Sequence, residues 1–188
     1  FPPHKAFDMI DLGTGSGAIL LATLAERFGA RGVGTDISSE AIAVARENAA
    51  NLDLNSRCTF LRTDWATGFA DDSFDLVVSN PPYIPSGDIA GLDPEVRDHD
   101  PHLALDGGPD GLQPYRDLAP EIARILRPNG IFAVEIGWDQ GEAVKALFET
   151  AGFTDVKVVK DLGDRDRVVT NGPDPRVEPI PEAEAPMQ

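Results

Sequence analysis

The chain has 188 residues, 41% of them hydrophobic and 26% charged, enough apolar material to bury one globular core. Asp and Glu number 32 against 16 Lys and Arg, a formal charge of −16, so the overall field repels phosphate backbones and disfavours nucleic acid as a partner. A lone cysteine, Cys58, permits neither an internal disulfide nor a multi-cysteine metal site and reads as a small strand residue. No apolar run nears the ~18 residues of a membrane span, which points to a cytoplasmic chain.

In chain order, apolar strand-like runs alternate with amphipathic helical stretches, the pattern of a parallel sheet covered by helices on both faces. FDMIDL (7–12) predicts the first strand. Ile19, Leu20, Leu21, Leu24, Ala25 and Phe28 then recur at helical spacing, with Gly29 as the stop. RGVGTDI (31–37) is a short second strand, and Ser38 or Ser39 caps a helix whose apolar face carries Ile42, Val44, Ala45, Ala49 and Leu52. RCTFLRTD (57–64) and SFDLVVSN (73–80) are strands three and four. Residues 84–111, rich in Gly, Pro and Asp without a steady period, predict a long loop of the functional or mobile kind.

Helix resumes by Tyr115, with Leu118, Ile122, Ile125 and Leu126 inward, and RPNG ends it. IFAVEIG (131–137) is a fifth strand, followed by a helix over 139–151. TDVKVVKD and RDRVVTN are two strands joined around Gly163 by a link too short for a crossover helix, so this last pair is antiparallel. Residues 1–172 thus read as one domain. Residues 173–188, dominated by Pro, Glu and Asp, read as a disordered acidic tail.

Between the first strand and the first helix stands DLGTGSGAI, with glycines at 13, 15 and 17. Glycine there allows positive φ and close approach of a ligand, and the helix N-terminus offers unpaired N–H groups. The spacing departs from the dinucleotide fingerprint, and no GK[ST] follows, which excludes a P-loop. Asp36 ends the second strand roughly 20 residues beyond the glycines, where a carboxylate can accept both hydroxyls of a ribose; as a helix cap ahead of Ser38 it serves structure alone. Dehydrogenase and methyltransferase readings both remain. The reversed pair that closes the chain favours the second, since Rossmann-like S-adenosylmethionine methyltransferases resemble this layout of parallel strands and a terminal reversed one. Asp64 and Trp65 then resemble the positions that contact the adenine amino group and ring, although Trp65 also suits the edge of a core.

The fourth strand ends in NPPY, residues 80–83. Its prolines donate no N–H and hold the backbone extended, so they halt the ladder and leave the Asn80 amide fixed at a strand end. The stretch resembles the signature of methyltransferases that modify nitrogen attached to a planar carbon system. Such a nitrogen is a poor nucleophile because its lone pair is delocalised, and a catalyst must hold both N–H bonds while leaving the lone pair aimed at the methyl donor. The Asn80 side-chain oxygen and the Pro81 carbonyl are two acceptors suited to one NH₂ group, and Tyr83 can lie flat against the planar amide or base. An obligatory general base is not evident. An Asx-Pro turn behind a buried strand is the purely structural alternative.

DLGTGSGAI, NPPYIP, ALDGGPDGL and DLGDRDRVV occur in this order, and over about residues 8–172 the chain closely resembles the HemK/PrmC family of peptide chain release factor glutamine methyltransferases. The resemblance implies methyl transfer from S-adenosylmethionine to the side-chain amide nitrogen of the glutamine in the release factors' GGQ loop. The expected fold is a Rossmann-like α/β sandwich, a mostly parallel seven-stranded sheet with the last strand antiparallel. The expected cofactor contacts are Asp11, Gly13, Thr14, Gly15, Gly17, Asp36, Ile37, Asp64, Trp65 and Asn80. The expected substrate grip is Asn80, Pro81, Pro82 and Tyr83, of which Asn80, Pro81 and Tyr83 are catalytic; release factors are the expected partner and a monomer the expected state.

Two departures stand out. The family carries a helical N-terminal recognition domain, whereas this sequence starts a few residues before the first strand and looks like the catalytic domain alone. The family has Glu-Pro where this sequence has Asp100-Pro101. Other acceptors of the same chemistry are a ribosomal-protein glutamine or an exocyclic amine of RNA or DNA, and a truncated cofactor-binding module without turnover is a third reading. His99, Asp100 and His102 lack further ligands and no metal is expected. Gly107, Gly108 and Gly111 read as loop-shaping, and Asp11 and Glu135 as strand-edge carboxylates.

Overall fold

A computed structural model of the protein describes residues 1–99 and 101–173, the side chains of Val96, Asp98 and His99 excepted. Asp100 and residues 174–188, which hold nearly all of the expected tail, lie outside the described residues. Seven strands form one sheet: β1 (Phe7–Leu12), β2 (Ala30–Asp36), β3 (Cys58–Arg62), β4 (Phe74–Ser79), β5 (Leu126–Glu135), β6 (Lys157–Lys160) and β7 (Asp166–Thr170). Their order is β3-β2-β1-β4-β5-β7-β6. The pairs among β1 to β5 are all parallel, while β7 runs antiparallel to both β5 and β6 and is the one reversed strand among the described residues. The sequence thus names the right arrangement both for the parallel strands and for the reversed one.

Helices cover both faces. On one side α1 (Ala18–Glu26) and α2 (Ser39–Asn51) bury Leu20, Leu21, Leu24, Ile42, Ala45 and Ala49 against Met9 and Phe60. On the other, α5 (Gln113–Ile125) and α6 (Gly141–Thr150) bury Tyr115, Leu118, Ile122 and Phe148 against Ile10, Leu12 and Phe132. Strand β1 feeds both cores because its side chains alternate: Met9 faces the first and Ile10 the second. Ser38 caps α2 as its sequence suggests, its hydroxyl accepting the Ala41 N–H at 3.1 Å.

Three expectations need correction. Val44 and Leu52, counted on the inner face of α2, are 47% and 56% exposed, and Phe28, beyond the end of α1, is 61% exposed. A helix lying on a sheet buries only a stripe about 100° wide, and small Ala45 and Ala49 occupy that stripe. Residues 84–111 are not a plain loop: a single 3₁₀ turn (Ile89–Gly91) is followed by α3 (Pro94–His99) and α4 (His102–Leu105). Finally, Leu126 and RPNG do not end α5 but already belong to β5, where a register irregularity against β4 absorbs the extra residues.

The two ends of the sheet differ in character. At the N-terminal edge Arg127 bridges Asp8 (3.1 Å) and Asp75 (2.6 Å), and Asp75 also accepts the Asp8 N–H at 2.9 Å. The C-terminal edge carries the glycine turn, Asp36 and the NPPY segment. In open α/β sheets that edge, beside the point where strand order reverses, is where ligands bind. Here the reversal lies between β1 and β4.

Candidate active site

The glycine turn is built by backbone geometry that only glycine adopts cheaply: φ is +71° at Gly13, +55° at Gly15 and +81° at Gly17. The turn is anchored on β2, where Thr14 donates its N–H to the Thr35 carbonyl at 2.8 Å, and on α2, where Asn48 donates to the Ser16 carbonyl at 2.9 Å. A side chain at Gly15 would meet nothing within 4 Å, so the turn presents bare backbone to open space. Gly17 is glycine for another reason. A Cβ there would come within 3.2–3.3 Å of Leu21, Ala45 and Phe60, and its N–H is already given to the Thr14 carbonyl.

Asp36, at the end of β2, joins the turn. One carboxylate oxygen accepts the Gly15 N–H and the other the Ser38 N–H, both at 2.9 Å. The carboxylate is therefore at once a loop anchor and a helix-start partner, and each oxygen keeps a lone pair for a hydroxyl. Ile37 beside it is half exposed and its carbonyl accepts from Arg62. Asp64 is exposed and Trp65 half-buried in a tight turn, Thr67 donating to the Asp64 carbonyl at 2.9 Å. Trp65 holds φ at +40°, unusual for a bulky residue, and its ring lies 3.3 Å from the place a Gly13 side chain would take. Trp65 thus walls the turn at Gly13.

Beneath the turn lies Asp11, 1% exposed. One of its oxygens accepts the Thr14 hydroxyl at 2.7 Å, and the other is buried without a hydrogen-bond partner among the described residues. Burial pushes its carboxyl up to about 6, against the opposing pull of the Thr14 hydrogen bond. Glu135, half-buried at the end of β5, is likewise raised by burial, with Arg167 opposing.

Asn80 is the residue immediately after β4, and it is exposed. The register pairs Leu12 with Ser79, so the next residues, Gly13 and Asn80, leave adjacent parallel strands side by side. Such strands lie about 4.8 Å apart. The Ser79 hydroxyl reinforces this junction by donating to the Leu12 carbonyl at 2.7 Å. Pro81 is buried, and Pro82 and Tyr83 are partly so.

The ALDGGPDGL segment clasps NPPY from outside. Ile84 donates to the Leu105 carbonyl at 3.1 Å and accepts from the Gly107 N–H at 2.8 Å. A Cβ on Gly107 would sit 2.9 Å from the Tyr83 backbone, and one on Gly111 only 2.5 Å from the Tyr83 carbonyl oxygen. The loop-shaping reading of these glycines gains a specific cause: two backbones pass too closely for a side chain. Asp106 ties the clasp, accepting from the Ser86 hydroxyl at 2.6 Å and the Gly108 N–H at 2.9 Å, and those bonds hold its carboxyl below the usual range.

One buried residue of this site carries no motif. Gln140 links Tyr83, Gly111 and Gly137 through its side-chain amide, and only its tertiary partners reveal it. The candidate metal trio is not assembled in what can be described. Asp100 and the His99 side chain fall outside the described residues, His102 sits 3.9 Å from Asp106, and among the described residues no group of three metal-binding side chains occurs. Nor is any helix among them long and apolar enough to cross a membrane.

Comparison with known proteins agrees with this geometry. The chain is 65% identical over 179 residues to the release factor glutamine methyltransferase of Caulobacter vibrioides, covering 95% of this chain and 62% of the relative. It is 51% identical over 162 residues to that of Agrobacterium fabrum, covering 86% of this chain and 56% of the relative. It thus spans about three-fifths of the length of these curated relatives. A crystal structure of a methyltransferase from Pyrococcus furiosus superposes with a TM-score of 0.65 at 19% identity, covering 89% of this chain and 75% of that one, a likeness of fold alone. The family model described as a methyltransferase domain matches residues 3–167. With the reversed-strand sheet and the glycine turn on its switch point, the chain belongs to the methyltransferase-domain family.

Proposed function

We propose that this chain is the catalytic part of an S-adenosylmethionine-dependent protein-glutamine N5-methyltransferase whose acceptor is the GGQ-loop glutamine of peptide chain release factors, working in the cytoplasm as a monomer. The observation that carries the reading is the register of β1 on β4, which sets Asn80 beside Gly13 at the edge where the strand order reverses. The identity to release factor glutamine methyltransferases supports the choice of acceptor. So does the net charge, which opposes nucleic acid.

The residues at the turn fit S-adenosylmethionine. Bare backbone at Gly15, with Gly13 beside it against the Trp65 ring, accommodates the amino-acid portion, Thr14 and Gly17 shape the turn, and Asp11 beneath Thr14 holds it from below. Asp36 keeps two lone pairs for ribose hydroxyls, and Ile37, Asp64 and Trp65 border the place for the adenine. When bound, the cofactor supplies an electrophilic methyl on a sulfonium.

What the chain's own residues do is hold the acceptor. The Asn80 side-chain oxygen and the Pro81 carbonyl each accept one N–H of the glutamine amide, which fixes its plane and turns the nitrogen lone pair toward the glycine turn. Tyr83 lies against the amide face, and Pro82 stiffens the segment between them. Charge build-up on the amide N–H groups as the nitrogen alkylates strengthens both hydrogen bonds, so the grip binds the transition state better than the ground state, and the alkylated nitrogen then releases one of its two protons to solvent.

The test is transfer of labelled methyl from S-adenosylmethionine into purified release factor, run beside ribosomal protein, ribosomal RNA and DNA. Label in release factor, lost when the GGQ glutamine is changed, supports the reading. Label only in nucleic acid or ribosomal protein, or none anywhere, rejects it.

A further inference from the structure

Pro81 and Pro82 have no N–H to donate, so across these two positions the turn that carries Asn80 offers only carbonyls for anchoring. Beyond them the Ile84 N–H reaches the Leu105 carbonyl at 3.1 Å, and the carbonyls of the turn take donors from elsewhere. Gln140, just ahead of α6 and 8% exposed, brings two such donors on one side chain. Its Nε2 donates to the Tyr83 carbonyl at 3.0 Å and to the Gly111 carbonyl at 3.1 Å, while its Oε1 accepts the Gly137 N–H at 2.9 Å. Three chain segments far apart in sequence therefore meet on one buried amide. The fit is close: a Cβ on Gly111 would lie 2.7 Å from that nitrogen.

We propose that Gln140 is a positioning residue for methyl transfer, locking the main chain of the Asn80–Tyr83 turn between the Gly107–Gly111 clasp and the end of β5. The inference rests on the glutamine-amide reading above. It is specific to an amide. A carboxylate of the same shape presents oxygen to two carbonyl oxygens, and only its protonated form donates, once rather than twice. A thioether of similar volume donates nothing.

Gln140→Glu and Gln140→Met, made in the full chain, test it against wild type. Expected are a fall in kcat of about 10- to 100-fold with little change in KM for release factor, S-adenosylhomocysteine affinity within about twofold, and in Gln140→Glu alone a recovery of kcat as pH falls. Hydrogen exchange, which needs no substrate, should quicken in residues 80–87 and 105–113 but not in β1 or α1. Unchanged kcat in both variants with intact folding overturns the proposal. So does exchange that rises in β1 as much as in the turn, which would make Gln140 ordinary core. Should wild type methylate nothing, the functional reading fails while the exchange pattern still decides whether Gln140 holds the turn.

Discussion

Asp36 and Gly15 are joined by a hydrogen bond of 2.9 Å that ties the end of β2 to the turn after β1 across 21 residues of chain. The same carboxylate holds the Ser38 N–H, so it is aimed before any ligand arrives. Hydrogen bonds to charged groups contribute roughly 1.5–3 kcal/mol each. Asp36→Ala should therefore weaken S-adenosylhomocysteine binding by about 30-fold or more in calorimetry. A change under threefold would remove Asp36 from the cofactor site.

Two glycines with positive φ should lose stability to different extents on substitution by alanine. At Gly15 the new Cβ meets nothing in the protein, so Gly15→Ala should cost only the roughly 1–2 kcal/mol of a left-handed residue while lowering cofactor affinity. At Gly111 the Cβ strikes the Tyr83 carbonyl oxygen, so Gly111→Ala should lose clearly more stability in urea titrations and also slow methyl transfer. Equal stability losses would contradict the two environments.

Asn80 is exposed and follows the last residue of β4, so the fold does not depend on its side chain. Asn80→Ala should leave the Tm within about 2 °C and cofactor affinity within about threefold, yet reduce transfer to release factor by roughly 10²–10⁴-fold. Single-turnover assays at saturating cofactor measure it. Transfer within tenfold of wild type would show that the amide is not held there.

Asp11 gives a pH signature. Its carboxyl is raised to about 6 by burial, so the folded state binds the proton more tightly than the unfolded chain does. From about pH 4 to about 6 the folded state therefore loses stability as pH rises, and above that the loss, about 2–3 kcal/mol, is complete. Asp11→Asn removes this dependence and can still accept the Thr14 hydroxyl. Its stability advantage over wild type should grow by about 1 kcal/mol between pH 5 and pH 7.5 in urea titrations. A constant difference would mean that Asp11 titrates normally.

What could be read in advance depended on how far apart the cooperating residues lie. Strand β1 matches its sequence limits because alternation and the glycine that follows bound it locally. The reversed β7 was legible because the link at Gly163 is too short to cross over. Val44 and Leu52 misled because apolarity does not say which side of a helix faces the sheet, and Ala45 and Ala49 claimed that side. The short helices within residues 84–111 are each less than two turns, too brief to leave a period. Gln140 gave no signal at all, since the two carbonyls it holds stand 57 and 29 residues away.

The place of β7 between β5 and β6 has a consequence for synthesis. Among the described residues strand β6 bonds only to β7, so when it leaves the ribosome it has no strand among them to join, and β5 meanwhile presents an open edge. Unpaired edges invite pairing with other chains. The nascent chain must therefore carry this exposure until Asp166–Thr170 has emerged and slotted in, which makes the final hairpin the step that seals the sheet.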